Sequence, residues 1–196
     1  MKIWIARHGE TATNRAGRFL GHGNPLLLQE GRKTAKKVGR LLKKKIKDPF
    51  VFYSSPLARA RQTAKIIAKE LGHKKIVIEK RLMERGFGLW EGKTRKEVES
   101  IFPGSIKRWN ANPYKETPAK GESLFSLEKK VSAFLKKIRK QKQKEVLIVA
   151  HGGVIKMLPR LLLAASRKKS LKTNTAHNAV HLFDLEKKTL KTFRAR

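Results

Sequence analysis

Apolar residues in this chain gather in short blocks of two kinds. Ile3-Trp4-Ile5-Ala6, Phe50-Val51-Phe52-Tyr53, Ile76-Val77-Ile78 and Val146-Leu147-Ile148-Val149-Ala150 are unbroken runs of strand length. Such runs predict strands covered on both faces, since a half-exposed strand would alternate. Between them the apolar positions recur at helical spacing. Ala35, Val38, Leu41, Leu42 and Ile46 share one face of a helix expected over 31–47, with lysines opposite. Ala60, Ala64, Ile67 and Ala68 mark a second helix over 58–71, with Gly72 as its stop signal. Leu127, Val131, Phe134, Leu135 and Ile138 mark a third over 126–140, and a fourth is expected over 154–163. Alternating character over 179–185 predicts a closing strand.

Strands alternating with helices imply an α/β fold. The expected architecture is a three-layer sandwich: a mostly parallel central sheet, helices on both faces, and a small irregular cap. The cap is assigned to 86–121, where periodicity fails and Trp90, Trp109 and Tyr114 occur among short helical and loop stretches. A length of 196 residues suits one domain over 1–196, with 86–121 as an insertion.

Cysteine is absent, so disulfide frameworks and thiolate sites are excluded, and a reducing compartment fits. The N-terminal apolar stretch is too short for a signal peptide, and no later stretch is long enough to span a bilayer, so a cytoplasmic protein with no membrane partner is expected. The formal charge is +33, which favours weak, non-specific adhesion to nucleic acid and attraction of small anions. Lysine clusters at 43–45 and 136–144 adjoin apolar helical faces and read as solvated helix surfaces.

Two histidines share one setting, an apolar strand followed by His-Gly. His8-Gly9 follows the first strand and His151-Gly152 the fourth. In open α/β sheets ligands bind beyond the carboxyl ends of strands, where both imidazoles are expected. Arg7 precedes His8, and Arg59 follows the second strand closely. Arginine offers a planar, permanently charged fork that suits phosphate oxygens.

These residues belong to a longer ordered set. Arg7-His8-Gly9-Glu10-Thr11 with Asn14, then Ser54-Ser55-Pro56-Leu57 with Arg59, Gln62 and Thr63, then Glu84 with Gly88-Leu89-Trp90-Glu91-Gly92, then Gly121-Glu122-Ser123 and Ala150-His151-Gly152-Gly153 span nearly the whole chain. In this order they resemble the histidine phosphatase superfamily, which includes the phosphoglycerate mutases. The resemblance implies a phosphatase acting on a small phosphorylated metabolite, with His8 as the nucleophile that becomes a phosphohistidine. It implies that Arg7, Asn14, Arg59, His151 and Gly152 bind the phosphate. Glu84 would serve as general acid and then general base. Neither a metal nor a cofactor is implied. Asn24 and Lys130 depart from the family pattern, which more often has aspartate and arginine there. His22, His73, His177 and His181 are expected to be surface or structurally satisfied residues.

Two other readings compete. A phosphoglycerate mutase is the alternative within the resemblance, but its longer insertion and C-terminal tail have no counterpart in the short stretch, Glu186 to Arg196, after the last predicted strand. A non-catalytic nucleic-acid-binding protein on the same scaffold is the second. Aromatic residues form no evident stacking series for it.

Overall fold

The computed structural model describes residues 1–196. Strands β1 (Lys2–Arg7), β2 (Phe50–Ser54), β3 (Ile76–Ile78), β4 (Glu145–Ala150), β5 (Ala179–Asp184) and β6 (Thr189–Arg194) form one sheet in the order β3-β2-β4-β1-β5-β6. The first four in that order are parallel, whereas β5 pairs antiparallel with β1, and β6 with β5. The sheet is therefore mixed. Around it lie α1 (Ala12–Arg15), α2 (Gln29–Lys45), α3 (Ala58–Leu71), α4 (Arg95–Ile101), α5 (Ser105–Ala111), α6 (Leu124–Arg139), α7 (Gly152–Leu163) and α8 (Arg167–Leu171). No helix is long and apolar enough to cross a membrane.

The apolar runs are explained by what covers each face. Ile3, Ile5, Val146, Ile148 and Ala150 face one core, with Leu127, Val131 and Phe134 of α6 and Val154, Ile155 and Leu158 of α7. Trp4, Ala6, Leu147 and Val149 face a second core, with Val38 and Leu42 of α2 and Ala60, Ala64 and Ile67 of α3. Burying a side chain such as Leu42 or Ile67 contributes about 1.5–3 kcal/mol. Three layers follow from that alternation.

Strand β6 is absent from the sequence-based expectation. Its two larger apolar residues, Leu190 and Phe193, are three apart and pack against opposite cores, so period two does not show. Helix α1 is too short for periodicity and rests on a capping box between Thr11 and Asn14. The segment over 86–121 carries α4, α5 and a 3-10 turn (Gly88–Trp90). Its anchor is aromatic: Phe19 sits with ring centroids 5.0 Å from Phe87, 5.2 Å from Trp90 and 5.7 Å from Trp109.

After β1 the chain passes close under the start of α2. A Cβ on Gly31 would lie 2.7 Å from the Glu10 amide nitrogen, and one on Gly9 would lie 2.9 Å from the Gly31 carbonyl carbon. This two-glycine crossing sets the path of the loop leaving His8. Gly31→Ala is expected to cost about 1–3 kcal/mol, because backbone on both sides must shift. A urea titration should show the lowered midpoint, and an unchanged midpoint would contradict the crossing.

Candidate active site

Adjacent strands β2, β4 and β1 end side by side, and the ladder continues one residue past their ends. The His8 amide donates to the Ala150 carbonyl at 3.0 Å, and the Ser55 amide to the Val149 carbonyl at 3.1 Å. His8, Ser55 and His151 are thereby brought to one edge of the sheet. Because β5 is antiparallel, its amino end reaches the same edge and delivers Thr175 and His177 there.

His8 and His151 are both buried, with ring centroids 5.1 Å apart. His8 Nδ1 lies 2.8 Å from the Gly9 carbonyl, which can only accept, so this nitrogen carries the proton. His8 Nε2 then holds the lone pair, and Arg59 Nε donates to it at 3.2 Å. Arg59, in the first turn of α3, is buried and also donates to the Gly21 carbonyl at 2.8 Å and to the Gly23 carbonyl. His151 Nε2 pairs with Ser55 Oγ at 2.8 Å, while its Nδ1 is buried without a partner. Arg7 donates through one terminal nitrogen to the Thr175 carbonyl at 2.9 Å, and its Nε is likewise buried and unpartnered. Asn14 uses its side-chain oxygen to accept from Thr11, which leaves its amide hydrogens free.

Glu84 is held by the turn after β4. Its Oε2 accepts from the Gly153 amide at 2.9 Å and its Oε1 from the Arg85 amide at 3.0 Å. Position 153 must be glycine for this, because a Cβ there would overlap the carboxylate. Arg7, His8, Asn14, Arg59 and Glu84 line one cavity of about 170 Å³. Gly152, the first residue of α7, lines the neighbouring cavity together with Arg7 and Glu84. All seven residues singled out in the sequence thus converge. No three His, Cys, Asp or Glu side chains gather as a metal site.

The structure also places His177 here, a residue expected only to be surface or structurally satisfied. Its ring lies 5.5 Å from that of His8, and its Nδ1 lies 2.6 Å from the His8 carbonyl, to which it can only donate. The signal was missing because it depends on an antiparallel neighbour whose direction is not written in the local pattern. The departures from the family pattern have structural work. Asn24 accepts from the Ala58 amide at the start of α3 at 2.6 Å, and Lys130 pairs with Glu122 at 2.8 Å.

Residues 3–194 match the histidine phosphatase superfamily (branch 1), and the chain belongs to that superfamily. Phosphoglycerate mutase-like protein 4 of Arabidopsis thaliana is 34% identical over 194 residues, covering 98% of this chain and 84% of the relative. Phosphoserine phosphatase 1 of Hydrogenobacter thermophilus is 32% identical over 186 residues, covering 93% of this chain and 87% of the relative. The structure of a mycobacterial glucosyl-3-phosphoglycerate phosphatase in complex with VO3 is similar with a TM-score of 0.84 and 25% identity, covering 93% of this chain and 92% of that one.

Burial, and then the neighbouring positive groups, hold the imidazoles of His8 and His151 well below their ordinary range. His177 is pushed down to about 4, by burial first and Arg7 next. An unfolded chain takes up protons on these rings near pH 6.5, roughly the ordinary imidazole value. The folded chain refuses them, so unfolding binds protons and stability falls as the pH drops below that value. The stabilisation is fully present above about pH 7 and is lost progressively toward pH 4. Denaturant midpoints at pH 5 should therefore lie below those at pH 7.5, with a shallower slope in His177→Gln. A flat profile would contradict the neutral-imidazole arrangement.

Proposed function

We propose that the protein hydrolyses small phosphate monoesters through a phosphohistidine on His8. One observation carries this reading: His8, whose Nε2 holds the lone pair, lines one cavity with the donors Arg7, Arg59 and Asn14, and Arg7 Nε and, on the adjacent ring, His151 Nδ1 are buried without a partner. A phosphoryl dianion would satisfy the orphaned Arg7 Nε and His151 Nδ1 together. Arg59 Nε, which now donates to Nε2, would shift to a phosphoryl oxygen and free the lone pair for attack.

The reaction then proceeds in two displacements. Nε2 bonds to phosphorus while the ester P–O bond breaks, and Glu84 supplies the proton to the leaving alkoxide. Arg7, Arg59, Asn14, His151 and the Gly152 amide hold the equatorial oxygens as charge shifts onto them. Glu84, now a carboxylate, takes a proton from water as that water attacks phosphorus and the P–N bond breaks. Residues 86–121 act as the cap over this site. We place the reaction in the cytoplasm and read the basic surface as a source of weak, salt-sensitive adhesion to polynucleotides.

A phosphoglycerate mutase is the second reading, favoured by the likeness to phosphoglycerate mutase-like protein 4. It differs only in the acceptor of the second displacement, an alcohol in place of water. Isomerisation of 3-phosphoglycerate, assayed beside hydrolysis, separates the two.

Rapid quench with a good substrate should trap an acid-labile, base-stable phosphoenzyme that His8→Ala abolishes. Label found on serine or aspartate would overturn the mechanism.

The role of Glu84 is separable by leaving group. An alkoxide needs a proton, whereas p-nitrophenolate leaves without one. Glu84→Gln should slow alkyl phosphates by about 10²–10⁴-fold and p-nitrophenyl phosphate far less. Equal losses would remove Glu84 from the first step.

A further inference from the structure

Arg59 is buried to 1% exposure, yet it makes no ion pair with a carboxylate. Its direction is set by two carbonyls. Nε faces His8 Nε2, while Nη2 donates to the Gly21 carbonyl and Nη1 to the Gly23 carbonyl. The loop that carries these acceptors is partly open to solvent, with His22 exposed and Gly23 half-buried. Its far end is tied by Asn24 to the start of α3. Its middle is tied to the cap by Glu91.

Glu91 Oε1 accepts from the His22 amide at 3.0 Å and from the Phe87 amide at 2.9 Å, and Oε2 accepts from the Gly23 amide at 3.2 Å. The Gly23 amide also donates to the Leu20 carbonyl at 2.9 Å. Gly21 leaves room for the carboxylate, since a Cβ there would lie 2.5 Å from Glu91 Cδ. The backbone around Glu91 is fixed in turn, because the Gly92 amide donates to the Phe19 carbonyl at 2.8 Å and the Phe19 amide to the Lys93 carbonyl at 2.9 Å.

The peptide unit between Gly21 and His22 is thus held from both sides. Its N–H donates to the Glu91 carboxylate, and its C=O accepts from Arg59 at 2.8 Å. The two groups of a trans peptide point in opposite directions, so one polarised amide stands between an anion and a cation. Hydrogen bonds in series strengthen one another where the dielectric is low. Burial pushes the Arg59 guanidinium down to about 10, and the carboxylates of Glu84 and then Glu91 act against that shift. A carboxylate in direct contact would oppose it more strongly, but it would occupy N–H groups that suit a phosphoryl oxygen. Glu91 itself makes no ion pair and lines neither cavity of the site.

We propose that Glu91 is a positioning residue for phosphoryl transfer, fixing the direction of Arg59 through the Gly21–His22 peptide and the Gly23 amide. The inference rests on the phosphatase reading and adds to it a residue that never meets the substrate. Since the same carboxylate holds the Phe87 amide, one group sets both the start of the cap and the aim of Arg59.

Glu91→Gln keeps the size of the side chain, removes its charge and replaces one acceptor oxygen by an NH2. It should lower kcat by about 10- to 100-fold, the loss that accompanies a displacement of roughly an ångström at the chemistry. The loss should be equal for an alkyl phosphate and for p-nitrophenyl phosphate, because Arg59 acts on the phosphoryl group and not on the leaving oxygen. That equality separates Glu91 from Glu84. In an Arg59→Met background Glu91→Gln should cost less than about threefold more, since residues that act as a unit are not additive. Glu91→Asp, which withdraws the charge by one methylene, enters the same cycle if the glutamine variant does not fold. Losses that multiply in the double variant would mean that Glu91 serves the fold and not Arg59, and would overturn the inference. A loss confined to alkyl phosphates would overturn it too, by moving Glu91 into the proton transfer. Unchanged kcat in a wild-type enzyme that hydrolyses p-nitrophenyl phosphate would remove Glu91 and leave the phosphatase reading intact. A wild-type protein that hydrolyses neither substrate would remove that reading and this inference with it.

Discussion

At the carboxyl edge of the sheet, Arg59 and Arg85 are buried and Arg7 is half-buried, and none of the three has a carboxylate ion pair. Placing guanidinium groups there costs several kcal/mol each unless hydrogen bonds or an anion offset it. Carbonyl oxygens supply part of the compensation: Gly21 and Gly23 for Arg59, Thr175 for Arg7, and distantly Glu122 for Arg85. This unsettled positive charge governs the neighbouring groups. Burial first, and this charge after it, holds the imidazoles of His8 and His151 well below their ordinary range, and Glu84 is the single carboxylate lining either cavity.

The scaffold is arranged to hold that charge still. Parallel β1, β2 and β4 bring three chain segments to one edge, and each segment leaves it by a different route. The His8 loop passes between Gly9 and Gly31, Arg59 enters α3 directly after Pro56-Leu57, and His151 begins α7. Arg59 ties two of these routes together, since it donates both to His8 and to the loop carbonyls before α2. Glu84 ties in the third by accepting from Gly153. A shift in any one of the three would move a hydrogen-bond partner of another. Loops on a rigid scaffold commonly carry function, and here their mutual hydrogen bonds supply the rigidity.

How much of this was legible in the sequence depends on the kind of signal each feature leaves. β1 and β4 were readable because burial on both faces produces unbroken apolar runs. His8 and His151 were readable because the strand-His-Gly setting occurs twice. Glu84 has no local signal, and only the ordered motif set distinguishes it from a surface carboxylate. β6 escaped because its apolar residues serve opposite cores. His177 escaped because its place depends on strand direction. Arg85 escaped for a compositional reason: among 48 lysines and arginines, sequence alone does not separate a buried cation from a solvated one. The aromatic rings beside its guanidinium, Phe87 and Trp109, come from the segment where periodicity fails.

Exposure likewise decides what the net charge of +33 can do. Most of those charges sit on exposed faces, such as Lys43, Lys44 and Lys45 at the end of α2. At physiological ionic strength exposed charges are screened over about 8 Å, so they raise the local concentration of anions without shaping the reaction. Buried cations are screened far less, and a few of them at one edge outweigh many on the surface. Removing exposed lysines would therefore alter encounter rates and adhesion, whereas in the proposed mechanism the orientation and reactivity of the phosphoryl group depend on Arg7, Arg59 and their neighbours. The unusual composition and the site chemistry are two separate electrostatic problems, joined only by the sign of the charge.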